Sequence, residues 1–134
     1  MVELPLPGPR GLTLGYAPVR NGAPDPGEIV WGWVPYAEDP ANGKDRPLLV
    51  IGRRDDEHCW AMKLTSRPRD GDRDHLPIGS GAWDASGRPS WLDIDQVYLV
   101  HRSGIRREAG ELDRARFRSI ASALSKRYGW SIAR

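Results

Sequence analysis

Only one segment of this chain repeats its apolar residues at helical spacing, and this restricts the rest of the fold to strands and loops. Asp113 is a suitable N-cap, and Gly129 has the position at which helices often end in the left-handed conformation. Leu112 precedes the cap as part of a hydrophobic staple. The apolar stripe between the caps consists of Phe117, Ile120, Ala121, Leu124 and Tyr128. The sequence therefore predicts one helix near its C-terminal end.

The segments before this helix are short runs of β-branched and aromatic residues. They lie at 28–34, 47–53, 59–66, 75–79 and 95–102. Turn residues and charged residues fill the connections, at 35–45, 54–58, 67–74 and 80–91. Short strands with hairpin-like links and one terminal helix predict a mainly β fold, either a small antiparallel barrel or a curled sheet capped by the helix.

Residues 1–26 differ from the rest of the chain because they contain six of its twelve prolines. Proline supplies no donor to a strand ladder, and neither a helical nor a strand period is present in this stretch. We predict an irregular Pro/Gly-rich N-terminal arm that crosses the domain through Leu12, Leu14 and Tyr16. A single barrel domain is expected at 27–134, because 134 residues suffice for one core.

Composition excludes several classes of protein without selecting one. The 20 Lys and Arg residues exceed the 18 Asp and Glu residues by only two, too few to predict nucleic-acid binding by themselves. Most of these cations are arginines, which suit phosphate contacts, although a GC-rich genome produces the same bias. No apolar run reaches the roughly 18 residues of a membrane span, and no signal-peptide pattern is present. The lone Cys59 excludes an internal disulfide and fits a reducing cytoplasm.

The sequence contains no motif for a metal or a cofactor. His58, His75 and His101 have no ligand spacing to one another, and no glycine-rich phosphate loop occurs. We therefore expect neither a metal nor a cofactor. His75 is the best placed of the three for a functional role, because it follows a charged loop and precedes a strand.

Arg46 and the pair Thr65–Ser66 are the polar residues whose positions the strand pattern brings together. If 54–58 is a hairpin turn, Arg46 lies ten residues before its centre near Asp56 and Thr65 lies nine residues after it. Adjacent antiparallel strands then place both residues at one rim of the sheet. An arginine beside two hydroxyls is a plausible phosphate site. The alternative is that Thr65 and Ser66 merely cap a turn.

Four short motifs, in order, resemble the PemK/MazF (CcdB-related) family of ribonuclease toxins. They are "GEIVWGWVPY", "GKDRPLLVIG", "KLTS" and "DQVYLV", and they are followed by a final helix. The resemblance covers about residues 27–127. It implies an SH3-like barrel, a homodimer, an antitoxin protein as partner and metal-independent cleavage of single-stranded RNA in the cytoplasm.

The resemblance also implies roles for individual residues. The family's arginine before the proline matches Arg46, its hydroxyl residue matches Thr65 with Ser66 beside it, and these are the expected catalytic residues. The expected substrate-binding residues are Lys44, Asp95, His75, Arg67 and Arg69.

One departure from the family pattern keeps two other functions open. PemK-type members carry an arginine two residues before the Asp of the Asp-Gln pair, where this chain has Asp93, and a carboxylate there would repel a phosphate. Asp93 and the acidic loop at 35–45 favour a binding module for RNA or protein that cuts nothing. The apolar–aromatic ending "YGWSIAR" is compatible with a CcdB-like gyrase inhibitor. Trp83 and Trp91, in the predicted loop 80–91, are core residues or candidates for base stacking.

Overall fold

The computed structural model of the protein describes residues 1–17, 25–36 and 38–133, and for 106–108 the backbone only. This part of the chain forms ten strands and one α-helix. They are β1 (Val2–Leu4), β2 (Thr13–Leu14), β3 (Glu28–Pro35), β4 (Gly43–Arg53), β5 (His58–Thr65), β6 (His75–Gly79), β7 (Ser90–Asp93), β8 (Val97–His101), β9 (Ile105–Glu111), α1 (Arg114–Tyr128) and β10 (Ser131–Ile132). No described helix is both long enough and apolar enough to cross a membrane.

Antiparallel pairing joins most of these strands into one sheet, in the order β1-β8-β5-β4-β3-β9. The β6–β7 hairpin branches from it, because β7 pairs with the end of β5. A separate parallel pair joins β10 to β2. The predicted mainly β fold with one C-terminal helix is confirmed. Within the described ranges no pairing joins β1 to β9, so hydrogen bonds do not close the barrel.

The five predicted strands all occur, but two of the predicted loops are shorter than expected. β4 begins at Gly43, four residues before the expected start at Pro47, so Arg46 lies inside the strand. The cause is pairing with β3, which runs to Pro35 opposite Gly43. β7 similarly takes Ser90 and Trp91 out of the predicted loop 80–91. β9 is a strand that the sequence pattern did not predict.

The aliphatic run of β4 is buried on both faces, as its sequence predicts. Leu49 and Ile51 face the larger core, which includes the apolar stripe of α1. Leu48 and Val50 face a second, smaller cluster on the opposite side of the sheet, and all four side chains are fully buried. Because side chains alternate along a strand, the direction of each β4 residue follows from this pattern.

The ends of α1 agree with the predicted caps. The Asp113 carboxylate accepts a hydrogen bond from the backbone N–H of Arg116 at 3.1 Å. Gly129 is left-handed, with φ of 77°, and its N–H donates to the Ser125 carbonyl. Trp130 follows it into the core and is completely buried. Its indole N–H donates to the Pro7 carbonyl at 3.1 Å, which fixes the N-terminal arm to the end of the helix.

The N-terminal arm is more regular than expected, since it contributes β1 and β2. Leu12 and Leu14 are buried in the larger core, and the Tyr16 hydroxyl donates to the Leu112 carbonyl at 2.7 Å. Thus the residues predicted to cross the domain do contact it. Residues 18–24 of the arm lie outside the described part of the chain, and the division into an arm and a domain at 27 stays a prediction.

Candidate active site

The pairing of β4 with β5 ends two residues before Arg46 and Thr65, at Leu48 and Lys63. Leu48 pairs with Lys63 and Leu49 with Met62, and the same register continued by two residues aligns Arg46 with Thr65. Cross-strand partners project to the same face of a sheet. Arg46 and Thr65 therefore share the face that carries Leu48 and Lys63, at the end of the strands that the sequence predicts.

A cleft of about 1110 Å³ opens beside these two residues. Thr65 and Ser66 contribute hydroxyl groups to its wall. Its basic side chains outnumber its acidic ones: the basic ones are Lys44, Arg46, Arg67, Arg69 and Arg88, and the acidic ones are Glu28, Asp45, Asp84 and Glu111. Arg88 neutralises Asp84 at 3.1 Å. The lining then carries four basic side chains against three carboxylates, a small excess of positive charge that favours an anion.

The Thr65 hydroxyl also has a structural role. Its oxygen accepts a hydrogen bond from the backbone N–H of Arg67 at 3.2 Å, so the turn-capping alternative is correct in its geometry. A hydroxyl has one proton to donate in addition to its acceptor sites. Capping therefore leaves the Thr65 proton available for a bound phosphate, and the two interpretations are compatible.

Tyr98 is a buried neighbour of Arg46 that the sequence pattern did not single out. Burial raises the pKa of the Tyr98 hydroxyl well above its usual range, and the carboxylates of Glu3 and Asp93 raise it further. The charge of Arg46 acts in the opposite direction and lowers this pKa. Arg46 thus lies close enough to interact with a hydroxyl that remains protonated at neutral pH.

Asp93 stands where PemK-type members carry an arginine. In the structure it lies in a buried cluster apart from the cleft. Its carboxylate lies 3.4 Å from the Lys63 ammonium and is only 7% exposed. Lys63 Nζ also donates to Gln96 at 2.6 Å. Burial is the main cause that raises the pKa of Asp93 to about 6, and Lys63 opposes this rise. Asp93 is not among the described residues that line the cleft.

Two of the predicted substrate-binding residues lie beside Asp93 instead of on the cleft wall. His75 Nε2 is 4.0 Å from the Asp93 carboxylate, and its Nδ1 is 3.2 Å from Asp72. Asp95 is exposed at the turn before β8, and its backbone N–H donates to Asp93 at 3.2 Å. The cleft wall includes the other three, Lys44, Arg67 and Arg69.

Trp83 and Trp91, expected to be core residues or stacking platforms, are core residues. Trp83 is 5% exposed and Trp91 is 7% exposed, so both belong to the protein interior. The Trp83 indole N–H donates to the Ser90 hydroxyl at 2.9 Å. Base stacking by these two rings is therefore wrong. Trp83 still borders the cleft, as does the half-buried Trp31 of β3 beside Lys44 and Arg46.

The fold and cleft define a class of protein: a small curled antiparallel sheet with one C-terminal helix and an arginine–threonine pair at a basic cleft. The chain belongs to the PemK-like, MazF-like toxins of type II toxin-antitoxin systems, since the model of that family matches residues 25–127. A search of curated proteins gave no match.

Solved structures of low sequence identity have a similar fold. An endoribonuclease from a mycobacterial species, in complex with its cognate antitoxin, is 18% identical with a TM-score of 0.62, over 80% of this chain and 96% of that chain. The MazE–MazF structure from Deinococcus radiodurans is 20% identical with a TM-score of 0.60, over 81% and 99%. The Mycobacterium tuberculosis toxin MazF-mt6 is 15% identical with a TM-score of 0.55, over 78% and 98%.

Proposed function

We propose that this toxin is an endoribonuclease that cleaves single-stranded RNA without a metal ion, with Arg46 and Thr65 as its catalytic residues. The observation that carries the proposal is the β4–β5 register, which, extended by two residues, aligns these two side chains beside a cleft lined by four arginines and a lysine. Membership of the toxin family and the endoribonuclease among the similar structures also support it.

The reaction is an internal transfer of a phosphoryl group. The 2′-oxygen of the RNA forms a bond to the adjacent phosphorus while the bond from phosphorus to the 5′-oxygen breaks. The 2′-hydroxyl proton passes to a base, and the 5′-oxygen takes up a proton. The products are a 2′,3′-cyclic phosphate and a 5′-hydroxyl, and no metal or redox partner is needed to balance the step.

Each proposed catalytic group matches one requirement of this reaction. The Arg46 guanidinium stabilises the negative charge that develops on the phosphorane oxygens, because it is a cation with several N–H donors. The Thr65 hydroxyl donates to the same oxygens and orients the phosphate for in-line attack. Ser66 provides a second hydroxyl on the cleft wall.

Lys44, Arg67 and Arg69 then hold the RNA backbone along the cleft. We assign His75 and Asp95 an indirect role, because both lie in the cluster around Asp93 and not on the cleft wall. The Asp93 carboxylate repels a phosphate less strongly than an isolated carboxylate would, because the Lys63 ammonium lies 3.4 Å from it. These placements favour the nuclease over a binding module that cuts nothing.

The gyrase-inhibitor alternative depends on an accessible aromatic residue at the end of the chain. Trp130 has no exposed surface, stacks on Tyr128 with ring centroids 4.6 Å apart and donates to Pro7. Its indole ring is therefore buried in the protein interior and not accessible to gyrase. We also propose a homodimer in the cytoplasm that is neutralised by an antitoxin protein; the similar structures that contain an antitoxin support the latter partner.

Cleavage of a pool of single-stranded RNAs in the presence of a chelator tests the proposal directly. We expect fragments that end in a cyclic phosphate and a 5′-hydroxyl, identified by mass spectrometry, and a loss of about 100-fold or more in rate for Arg46→Ala. An intact RNA pool, or equal rates for the wild type and Arg46→Ala, would contradict it. A supercoiling assay of gyrase with the same preparations tests the gyrase-inhibitor alternative.

A further inference from the structure

Three of the four large apolar side chains exposed in the described part of the chain surround one cavity. This cavity, of about 700 Å³, lies between β1, the end of β3 and the start of β9. The three side chains form an aromatic patch of Val2, Trp33 and Tyr36, which are 56%, 47% and 37% exposed. The fourth, Ile132, is 49% exposed on β10 and does not line the cavity. Apolar side chains gathered in one patch, unlike scattered ones, mark a site of association.

The β3–β4 hairpin fixes the positions of both aromatic residues of the patch. The backbone N–H of Tyr36 donates to the Asn42 carbonyl at 2.9 Å, across the connection between the two strands. The Trp33 ring packs on the backbone of Gly43, since a Cβ at Gly43 would lie 2.8 Å from the indole nitrogen. Aromatic residues that are already held in place lose little entropy on association, and Trp and Tyr often contribute most to protein interfaces.

β1 brings a strand edge to the same surface. It is the last strand in the sheet order, and among the described residues it pairs with β8 alone, so its outer edge has no strand partner there. Met1 holds the start of β1 against β3, because its Cε lies 2.7 Å from the position that a Cβ at Gly32 would take. β1 precedes residues 25–127, which match the family model, so that model does not include this edge.

The charge of this surface favours a second copy of the chain as its partner. Glu3 is the only charged side chain among the described residues of the cavity wall, and its carboxylate accepts hydrogen bonds from Gln96 at 3.2 and 3.3 Å. Glu3 would repel an RNA phosphate, and a strongly charged peptide would find no complementary charges here. A two-fold axis brings two identical patches together and sets two identical strand edges antiparallel, so a second copy fits both features.

We propose that two copies of the chain associate through the aromatic patch, with Trp33 and Tyr36 as the main contacts and β1 beside its two-fold equivalent. This inference rests on the proposed homodimer and deepens it, because it names the surface that the two copies share. The surface is distinct from the basic cleft, since Val2, Trp33 and Tyr36 do not line that cleft.

Charge substitutions on the patch test this assignment. Sedimentation velocity over a range of concentrations gives the mass of the particle relative to the 15.0 kDa of one chain. We expect a dimeric wild type and a dissociation constant at least about 30-fold higher for Trp33→Glu, as for a central interface residue. A mixture of Trp33→Glu with Trp33→Lys should recover the dimer, because opposite charges then meet across the two-fold axis. Ile132→Glu adds the same charge at an exposed apolar residue outside the patch and should dimerise like the wild type.

Cysteine cross-linking tests the contact by a second route. Cys59 is the only cysteine of the chain, and burial raises the pKa of its thiol to about 12, so an introduced cysteine on the surface should be the reactive one. A short bismaleimide should link Val2→Cys and Tyr36→Cys into covalent dimers. It should leave Ile132→Cys as single chains.

The outcomes distinguish this face from the homodimer and from the nuclease. Full dimerisation of Trp33→Glu without cross-linking of Val2→Cys would overturn the face and leave the homodimer, whereas a wild type that is monomeric throughout would refute both. Thermal unfolding checks that each variant is folded, and Val2→Glu on β1 replaces Trp33→Glu if the latter does not fold. RNA cleavage is scored separately, so intact RNA beside the expected dissociation would refute the nuclease alone.

Discussion

The Lys63 ammonium lies 3.4 Å from the carboxylate of Asp93, across neighbouring strands β5 and β7 of the sheet. Both side chains are mainly buried, and Gln96 shares the ammonium with a hydrogen bond of 2.6 Å. The family motif has an arginine where this chain has Asp93, and Lys63 supplies a cation of matching charge from the opposite strand. The charge of Asp93 is therefore balanced within the fold by Lys63, which lies two residues before Thr65 on β5.

Asp93 should make stability depend on pH. Its pKa is raised from 3.8 in the unfolded chain to about 6 in the folded protein. The folded state then binds more protons between these values, so the free energy of unfolding falls as pH rises from about 4 to 6, by about 2 to 3 kcal/mol from this group. Urea denaturation at pH 4, 5, 6 and 7 measures this change in the free energy of unfolding. The variant Asp93→Asn should not show the decrease that comes from Asp93.

Lys63→Met provides the matched control for that experiment. Lys63 lowers the pKa of Asp93, so its removal should raise that pKa further and extend the pH-dependent range above 6. An identical pH dependence in the wild type and Asp93→Asn would show that Asp93 does not titrate in this range.

Substitutions of Thr65 should distinguish the contribution of its hydroxyl to cleavage from that of its methyl group. Thr65→Ser keeps both the bond from the Arg67 N–H and the proton for a phosphate, so we expect cleavage within a few-fold of the wild type. Thr65→Val keeps the size but loses both, and we expect a loss of about 100-fold in cleavage rate with about 1 kcal/mol lost in stability. Single-turnover rates and urea unfolding of the two variants measure these effects. Equal cleavage by Thr65→Val and Thr65→Ser would argue against the proposed role.

Arg127, which does not line the cleft, should hold the loop at 67–74 in place. Arg127→Ala removes two hydrogen bonds to residues 73 and 74, and we expect about 1 kcal/mol less stability, because the side chain is partly exposed. Backbone amides at 69–74 should exchange with deuterium faster than in the wild type. Arg118→Ala, an exposed charge deletion on the same helix, should leave exchange in this loop unchanged.

Trp130 should be among the costliest residues to truncate. It is fully buried, stacks on Tyr128 and bonds to Pro7, so we expect Trp130→Ala to cost about 3 to 5 kcal/mol. Trp130→Phe keeps an aromatic ring but loses the indole N–H and part of the volume, so it should cost less. Urea unfolding quantifies both variants. A loss below about 1 kcal/mol for Trp130→Ala would mean that the arm and helix end are not held together by this ring.

Local signals in the sequence were sufficient for the helix and for five of the ten strands. The caps of α1 depend on Asp113 and Gly129 themselves, and the run Leu48–Ile51 has the composition of a strand buried on both faces. β9 was missed because "IRREAGE" has no apolar alternation, and its strand conformation comes from pairing with β3. β7 was missed for a related reason, since Ser90 and Trp91 follow a stretch rich in turn residues.

The sequence by itself determined the fold class and both helix ends, because these depend on periodicity and capping. It also predicts the alignment of Arg46 with Thr65, from their distances to one hairpin turn. Only the tertiary structure decided that Lys63 neutralises Asp93, that His75 and Asp95 lie beside that pair, and that Trp31 borders the cleft. These relationships join strands and loops far apart in the chain, and their strength depends on burial, which no local pattern of residues specifies.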